Sequence, residues 1–450
     1  MDVLRGEIRN GTYTAGEYLP SEVAQATRFG LSNKSVRKGL DLLVEEGLIE
    51  KIPKVGSRVK PRSDVTLTLA FNGTNLRDLE QNGLLADFRQ RFPWIQFQTR
   101  MYGSVPELLR LMESEPIDLV TMNNLYFETL ANSDHTGMLE PLDAPPDAYP
   151  FLVRQFSSGG RLLVQPLVFS PIVLCYNKAH FRECGLPEPD GSWTWDDLMD
   201  TAAILTNTSG RYGFSFHLPD WNRWPIFLLQ SGERFEWEGT KLKEIRGTKL
   251  MDSIRLCKKL IHNRTISPLY VSESNGEIAR MFQAGKISMM LTSYLGMNVL
   301  KFSDVEYDIS PIPFIHEPRT LGITIGIGMN KHSQHKQEAL LFVHYLMSAR
   351  GRGYILDKTL SIPAFRQLSV SAVKPGLNSP ERFAIYREML FSIRTQQDLN
   401  LPQAAFPVLS ELLKTYWADM ISEDELCNRM TVELSEVAAK NRGAQEGLDE

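Results

Sequence analysis

The stretch that decides the first domain is residues 19–47, which read LPSEVAQATRFGLSNKSVRKGLDLLVEEG. Ser21 is a typical N-cap residue, and Gly30 is placed to end the helix that begins there. Ser32 is the next N-cap, and Gly47 is placed to end the second helix. Two short helices joined by so tight a turn predict a helix-turn-helix.

The second of these helices carries an apolar stripe. Val36, Leu40, Leu43 and Val44 follow one another at the i, i+4, i+7 and i+8 spacing of a buried helical face. We therefore expect all four side chains to pack in a core beneath the helix-turn-helix.

A hairpin is predicted directly after the second helix. Residues 48–52 and 57–60 alternate in the manner of strands, and residues 53–56 between them are typical of a turn. A helix-turn-helix followed by such a hairpin is a winged helix-turn-helix, an α+β domain, which we place at residues 1–62.

The charge of the chain is unevenly spread. The 450 residues include 49 Lys and Arg against 54 Asp and Glu, and this net charge of −5 taken alone argues against nucleic acid. Residues 1–62, however, hold eleven basic and eight acidic side chains, so they carry +3 and the remainder −8. Residues 28–38 and 51–62 contain nine of the eleven basic side chains and no acidic one. Because a charge run is more often solvated surface than a binding site, the helix-turn-helix is needed to favour DNA.

The candidate DNA contacts follow from this geometry. The N-terminal end of the second helix would enter the major groove of double-stranded operator DNA, and the wing would approach the backbone or the minor groove. The predicted DNA-binding residues are Ser32, Asn33, Lys34, Ser35, Arg37 and Lys38 of the helix and Lys54, Gly56 and Arg58 of the wing.

The first segment shows a family pattern at Gly11, Gly16-Glu17, Leu19-Pro20-Ser21-Glu22, Phe29-Gly30-Leu31-Ser32, Ser35-Val36-Arg37-Lys38, Leu40, Leu43, Glu46-Gly47-Leu48-Ile49 and Gly56. Through these residues, residues 1–60 resemble the winged helix-turn-helix of GntR-type transcription regulators. Where that family usually has Arg after the Ser of the recognition helix, this chain has Asn33, and Asn pairs best with adenine, which predicts an altered operator. Ile8 lies where the first helix should end, so we expect a start truncated relative to the family.

Several other classes of protein are excluded by composition. The four cysteines have no CxxC spacing and are too few for a disulfide scaffold. The longest apolar stretch, residues 162–176, is interrupted by polar residues and prolines, and residues 1–10 have no hydrophobic signal core. These features predict a soluble cytoplasmic protein with no membrane partner.

Strands and helices alternate in the large remainder of the chain. Residues 65–71, 95–97 and 117–120 are typical of buried strands, and helices are predicted between them, which indicates a parallel α/β sheet. Ligands of such sheets bind beyond the carboxyl ends of the strands, here residues 72–75 and 122–124.

Motifs for catalysis are missing from the sequence. There is no GxSxG, no HExxH and no phosphate-binding loop, and residues 326–328 lack the third glycine of a dinucleotide site. His332 and His335 have no acidic or Cys neighbour, so we interpret them as part of a solvated turn rather than a metal site. Asp196 and Asp197 are placed to begin a helix. We therefore expect neither an enzyme nor a cofactor nor a metal.

Neutral polar residues gather at the predicted strand ends, and aromatic residues stand out in predicted loops. Amides and hydroxyls bind the hydroxyl groups of a sugar, and flat aromatic rings bind its C–H face. No Arg lies among these polar residues to hold a carboxylate or phosphate. Scattered aromatic residues belong more often to a core than to a site, and Trp195 and Trp224 are assigned to the core. The polar set is Asn72, Thr74, Asn75, Asn123, Asn124 and Ser170, and the aromatic set is Tyr126, Trp221, Trp224, Trp237 and Tyr294.

A second family pattern runs through the remainder of the chain, at Gln165-Pro166-Leu167, 174–178, Phe181, 185–189, 194–198, 281–289, Tyr294, 311–313, Glu338-Ala339 and Leu346-Met347. Through these residues, residues 63–450 resemble the saccharide-binding members of the extracellular solute-binding proteins of ABC transporters. The resemblance implies a periplasmic-binding-protein-like domain of two α/β lobes, with hinge crossovers near 168–172 and 310–320 and the ligand between the lobes. It implies ligand contacts at Asn72, Thr74, Asn75, Asn123, Asn124, Ser170, Trp221 and Tyr294, although acids that the family often places at Thr74 and Ser170 are missing.

The two resemblances together predict a transcription regulator whose operator affinity is controlled by a small molecule, a mono- or oligosaccharide before other solutes. A homodimer on a palindromic operator is expected. A sensor of a peptide or polyamine, and a transport protein with a vestigial DNA-binding segment, are the alternatives. A sugar hydrolase would need paired carboxylates that the predicted loops do not offer.

Overall fold

A computed structural model of the protein describes residues 2–9, 11–45, 48–60, 64–73, 83–206, 210–267, 272–366 and 376–446. The chain divides into two compact units. The first unit comprises residues 1–167 and 325–355, and the second comprises residues 168–324 and 356–450. The chain thus passes from one unit to the other three times, whereas the sequence placed two crossovers near 168–172 and 310–320.

The helices and strands are numbered here in chain order. The helices are α1 Asp2–Arg9, α2 Glu22–Phe29, α3 Asn33–Glu45, α4 Leu84–Arg91, α5 Val105–Ser114, α6 Asn124–Asn132, α7 Pro150–Gln155, α8 Lys178–Glu183, α9 Trp195–Leu205, α10 Pro225–Gln230, α11 Lys249–His262, α12 Asn275–Gln283, α13 Lys336–Met347, α14 Ala349–Lys358, α15 Tyr386–Met389, α16 Ala405–Trp417, α17 Glu423–Arg429 and α18 Ser435–Glu446. The strands are β1 Ile49–Ile52, β2 Gly56–Val59, β3 Val65–Asn72, β4 Ile95–Tyr102, β5 Leu119–Asn123, β6 Ser157–Ser158, β7 Arg161–Leu162, β8 Val164–Asn177, β9 Tyr212–Ser215, β10 Trp237–Glu238, β11 Lys241–Leu242, β12 Ile287–Ser293, β13 Tyr307–Ser310, β14 Thr320–Met329, β15 Ile362–Pro363 and β16 Ile393–Arg394.

Residues 2–60, called the head below, form a winged helix-turn-helix. Ser21 caps α2 by accepting a hydrogen bond from the Ala24 amide, and Gly30 ends this helix in the left-handed conformation at φ 61°. Because a side chain is strained at that φ, glycine suits the turn between α2 and α3. Strands β1 and β2 pair antiparallel as the wing. These parts of the head confirm the predicted helix-turn-helix and hairpin.

The core of the head uses three of the four predicted stripe residues. Val36, Leu40 and Leu43 are buried, but Val44 is 37% exposed, so its prediction as a core residue was wrong. A residue eight positions along a helix is rotated by about 80° from the first, since each residue turns the helix by about 100°. Val44 therefore lies at the edge of the buried face. The predicted helix end at Gly47 lies outside the described residues.

The first unit contains an α/β sheet in the order β4-β3-β5-β14. Strand β3 is parallel to both β4 and β5, as the alternation of strands and helices predicted. The part of β14 in this unit pairs antiparallel with β5. Helices α4 and α13 contribute rings to the core, where Phe88 meets Phe342 edge-on at 5.0 Å between ring centroids. This sheet carries the carboxyl ends of β3, β4 and β5 at one edge.

The second unit is built on the order β8-β12-β9, with β13 and β15 also paired to β8. Helix α9 begins with a capping box between Thr194 and Asp197. The hydrogen bonds that Thr194 donates hold the pKa of Asp197 below its ordinary value, so this carboxylate serves the helix terminus, as the sequence predicted. Trp195 and Trp224 are both buried in the core of the unit, which confirms their structural assignment.

The two long strands β8 and β14 each contain one of the unit boundaries. The division falls after residue 167 within β8 and after residue 324 within β14. Every residue of β8 is buried, which explains why its apolar sequence does not reveal which side chains face a given surface.

Candidate DNA-binding and ligand-binding sites

The first turn of α3 presents a polar, exposed surface. Ser32 caps the helix, since its Oγ accepts a hydrogen bond from the Ser35 amide at 3.1 Å and lies 2.9 Å from Ser35 Oγ. Asn33, Lys34 and Lys38 are exposed beside it. The cap fixes the N-terminal turn of α3, so these side chains project from a rigid element of the kind that enters a major groove.

Arg37 lies on the same helix and is 67% exposed, although it has an intramolecular partner. Its Nε donates to Glu22 Oε2 at 2.5 Å, and this bond joins α3 to the first turn of α2. The hydrogen bond raises the pKa of the Arg37 guanidinium above its ordinary value. An exposed ion pair of this kind contributes little to stability, so Arg37 can exchange the carboxylate for a phosphate or a base edge.

The wing places its predicted contact residues differently. Lys54 in the turn and Gly56 at the start of β2 are exposed, with φ angles of 66° and 142°. Arg58 is half-buried, and its Nε donates to Glu50 Oε1 of the opposing strand at 2.9 Å. The tip of the wing is therefore the exposed part, and Arg58 spans the two strands behind it.

Polar groups meet at the carboxyl ends of β3, β4 and β5. The Asn72 amide donates to the Tyr102 carbonyl at 2.9 Å and to the Tyr126 hydroxyl at 3.2 Å. That hydroxyl donates to the Gly103 carbonyl at 2.8 Å, and the Tyr126 amide donates to Asn123 Oδ1 at 2.9 Å. We call these residues the strand-end cluster: Asn72, Asn123 and Tyr126 with the carbonyls of Tyr102 and Gly103.

The strand-end cluster joins two of the predicted ligand residues and adds others. Asn72 and Asn123 come together at the predicted edge of the sheet, whereas Asn124 is the first residue of α6 and is buried. Thr74 and Asn75 lie outside the described residues. Tyr126 was noted in the sequence only as an aromatic residue. Tyr102 and Gly103 were not considered, although Tyr102 ends β4 as Asn72 ends β3.

Ser170 and Tyr294 occupy the interior of the second unit. Ser170 Oγ accepts a hydrogen bond from the Tyr294 amide at 2.7 Å and donates to the Pro171 carbonyl. The Tyr294 hydroxyl donates to the Phe383 carbonyl, and its ring is 0% exposed. Both side chains are thus buried and bonded to the main chain in this structure, and their role as ligand contacts stays a prediction.

Trp221 is a half-buried aromatic residue that packs against the core of the second unit. Its ring is tilted by 34° to the ring of Phe406, with the centroids 6.3 Å apart. The Gln396 side chain donates to the Trp221 carbonyl at 3.1 Å. An aromatic ring of this kind can stack on a flat ligand face.

The chemistry available at these positions is binding rather than catalysis. Burial raises the pKa of the Tyr102 and Tyr294 hydroxyls, so both remain neutral hydrogen-bonding groups. The strand-end cluster is likewise made of amides, a phenol and main-chain carbonyls. Among the described residues, no group of His, Cys, Asp and Glu is arranged to hold a metal ion.

The sequence pattern of the bacterial extracellular solute-binding protein family matches residues 95–353, more than half of the chain. The chain belongs to this family. Residues 1–59 match the GntR family of bacterial regulatory proteins, so the head is a GntR-type winged helix-turn-helix. Neither is an enzyme family, and the chain combines a DNA-binding regulator domain with a ligand-binding domain. No helix in the described part of the chain is long and apolar enough to cross a membrane.

Two relatives illustrate how distant the individual similarities are. A binding protein of Brucella abortus is 24% identical over 220 residues, which are 46% of this chain and 52% of that protein. The sn-glycerol-3-phosphate-binding periplasmic protein of Escherichia coli is 22% identical over 282 residues, 58% of this chain and 64% of its own length. The chain thus spans about half to two thirds of the length of these relatives.

Solved structures show the same fold at similarly low identity. The substrate-binding protein of Listeria monocytogenes in complex with cycloalternan superposes with a TM-score of 0.69 at 17% identity, covering 85% of this chain and 100% of that one. A maltose-bound Thermotoga maritima protein gives 0.68 at 17% identity, covering 83% and 99%. An Agrobacterium radiobacter solute-binding protein with ribitol gives 0.66 at 19% identity, covering 84% and 100%.

Proposed function

We propose that this protein is a transcription regulator whose affinity for operator DNA is controlled by a saccharide bound to its solute-binding domain. The observation that carries the proposal is the exposed, capped N-terminal turn of α3 in a chain whose larger part belongs to a solute-binding family. A solute-binding protein without a regulatory role does not need a recognition helix. In a regulator, binding of the ligand to the larger domain changes the affinity of the head for operator DNA.

The head provides both kinds of DNA contact that specific binding needs. Asn33, Lys34, Ser35, Arg37 and Lys38 lie on the helix that would read base edges, with Ser32 setting its N-terminus. Lys54 and Gly56 at the wing tip, with Arg58 behind them, would contact the backbone. We propose that two heads bind a palindromic operator as a homodimer, in the cytoplasm where that DNA is reached.

The proposed ligand class follows from the neutrality of the strand-end cluster. The Asn72 amide oxygen and the Asn123 amide nitrogen take no part in the hydrogen bonds of the cluster given above and can bind sugar hydroxyls. Trp221 supplies a ring of the kind that stacks on a sugar face. Structures of the same fold hold cycloalternan, maltose and ribitol. The Escherichia coli relative is named for a phosphate ester, but the cluster has no cationic side chain to hold one.

The test uses the full chain with a DNA duplex selected from a random pool. Fluorescence anisotropy of the duplex is followed with and without a panel of mono- and oligosaccharides. We expect one saccharide to change operator affinity by about 10- to 100-fold, a coupling of about 1.4–2.7 kcal/mol. Selection of no duplex would favour a transport protein with a vestigial head. A response only to peptides or polyamines would overturn the saccharide assignment.

A further inference from the structure

The second unit contains a cavity of about 580 Å³ whose lining includes none of the proposed saccharide contacts. It is bordered by the segment after α10, by the start of α11, and by chain near β14 and β16. Its volume lies in the range of small-molecule sites. We call it the arginine cavity, after Arg234, Arg319 and Arg394 in its lining.

The carboxylates of the arginine cavity already have partners. Glu236 forms an ion pair with Lys243 at 3.0 Å, and Glu233 Oε2 accepts a hydrogen bond from the Leu250 amide at 3.2 Å, in the first turn of α11. These two carboxylates are therefore already bonded to a lysine and to a main-chain amide of the protein.

The other two lining acids are held in the same way. Glu244 Oε2 pairs with Arg246 at 2.6 Å, and Asp398 Oδ2 accepts from the Thr395 amide at 2.7 Å. The four acids of the lining equal Lys243 and the three arginines in number, so the formal charges balance. None of the bonds given for these acids goes to one of the three arginines.

The three arginines differ from the acids. Within the described ranges, none of them forms an ion pair with a carboxylate. Arg394 Nη1 donates to the Phe391 and Ile393 carbonyls at 2.8 and 2.9 Å, which holds the guanidinium in place and leaves its remaining N–H groups available. Arg319 Nη1 lies 3.4 Å from the Leu229 carbonyl, and Arg234 is exposed.

We propose that the arginine cavity is a second ligand site, which binds a small polyanion through phosphate or carboxylate groups. Guanidinium groups match the planar, paired oxygens of such ligands and bind them with charge-assisted hydrogen bonds. The three arginines line one concave site and, in the part of the chain that the structure describes, form no ion pair with the protein's own carboxylates, so they can bind the oxygens of a polyanion. The site goes beyond the proposed saccharide response and would give the protein a second chemical input.

The experiment measures binding of pyrophosphate and of citrate to the full chain by calorimetry and by thermal unfolding at constant ionic strength. We expect saturable binding of one or both and a rise in the unfolding temperature. Pyrophosphate alone would identify a phosphate ligand and citrate alone a carboxylate. Arg234→Gln and Arg394→Gln should each weaken binding by about tenfold or more, since a hydrogen bond to a charged group is worth about 1.5–3 kcal/mol.

The matched control is Arg264→Gln, an exposed arginine just beyond the C-terminal end of α11 and outside the cavity. It should bind the anion as the parent does. Arg234 is exposed, so its replacement leaves the fold intact. Absence of saturable binding to either probe, or equal weakening by the control, overturns the proposal. Operator binding and the saccharide response are measured separately and would stand in either case.

Discussion

The head and the strand-end cluster hold their polar groups in contrasting ways. In the head, charged side chains lie at the surface, and the exposed Arg37 is paired with the half-buried carboxylate of Glu22. In the strand-end cluster, neutral groups are bonded to main-chain carbonyls and to one another. A surface ion pair exchanges partners at little cost, whereas a bonded cluster presents one fixed arrangement. The first suits a charged polymer and the second a small molecule of defined shape.

The largest expected effect is loss of operator binding while saccharide binding is kept. Leu40→Ala removes a buried side chain from the small core of the head and should cost about 2–5 kcal/mol there, abolishing operator binding. The saccharide should still raise the unfolding temperature of the solute-binding domain. Leu42→Ala, on the exposed side of the same helix, is the control. Loss of saccharide binding in Leu40→Ala would show that the regions are not separable.

Next in size is the loss of a proposed DNA contact. Arg37→Ala should weaken operator binding by about tenfold or more, with saccharide binding unchanged, because the side chain lies on the recognition helix. Operator anisotropy measures the change. Lys51→Ala removes a wing cation that pairs with Asp41 and is not a proposed contact. An operator affinity as high in Arg37→Ala as in the control would mean that the recognition helix is misplaced.

A smaller effect is expected in the strand-end cluster. Tyr126→Phe removes the hydroxyl that joins Asn72 to the Gly103 carbonyl and should lower saccharide affinity about fivefold, equivalent to about 1 kcal/mol. Calorimetry with the responding saccharide measures it. Tyr212→Phe, a half-buried tyrosine of β9, should have no effect. Equal affinity in both variants would remove Tyr126 from the site.

The exchangeable ion pair can be tested directly. Glu22→Gln leaves the size of the side chain unchanged but removes the charge that Arg37 faces, so operator binding should tighten by about two- to threefold. A salt titration of anisotropy provides the measurement. The double variant with Arg37→Ala should show no such gain. Weaker binding in Glu22→Gln would mean that the carboxylate positions Arg37 instead of competing for it.

The smallest expected effect is a loss of stability of the second unit at acid pH. Burial lowers the pKa of His180 and His217 in the second unit below the ordinary value of 6.5, and the head contains no histidine. The folded state therefore binds protons less readily than the unfolded chain, and stability present above pH 6.5 is lost as the pH falls below it. The unfolding temperature measured between about pH 7.5 and about pH 5.5 should show this loss. The loss should be smaller in His217→Asn. An unchanged dependence of the unfolding temperature on pH would contradict a contribution from His217.

Local sequence rules predicted the head well because its signals are local. Ser21 and Gly30 act within one helix turn, and the structure confirms both. Val44 was misplaced because the spacing rule ignores how far a residue has rotated from the centre of the stripe. Asn72 and Asn123 followed from a rule about strand ends, which depends only on sheet type.

The interior of the second unit was beyond such rules. Ser170 lies in β8, where every residue is buried, so no alternation shows which way its side chain points. The partner of Tyr294, the Phe383 carbonyl, is 89 residues away in sequence. Tyr126 was missed as a hydrogen-bonding residue for the same reason, since its hydroxyl bonds to the Asn72 amide and the Gly103 carbonyl, 54 and 23 residues away in sequence. Contacts between distant segments decide these positions, and a single sequence does not contain them in readable form.

The pairing of both proposed DNA-contacting arginines with acids of the head has a consequence for how the protein finds its operator. Arg37 meets Glu22 and Arg58 meets Glu50, so each cation arrives at the duplex with its own counter-ion. Random genomic DNA must displace a tethered carboxylate, and the displaced acid then repels the neighbouring phosphates. The operator must open the same pairs, but its base contacts offset that cost, whereas random DNA has none to offer. We therefore expect the pairs to weaken all DNA binding somewhat, so that only the operator, with its base contacts, holds the head for long.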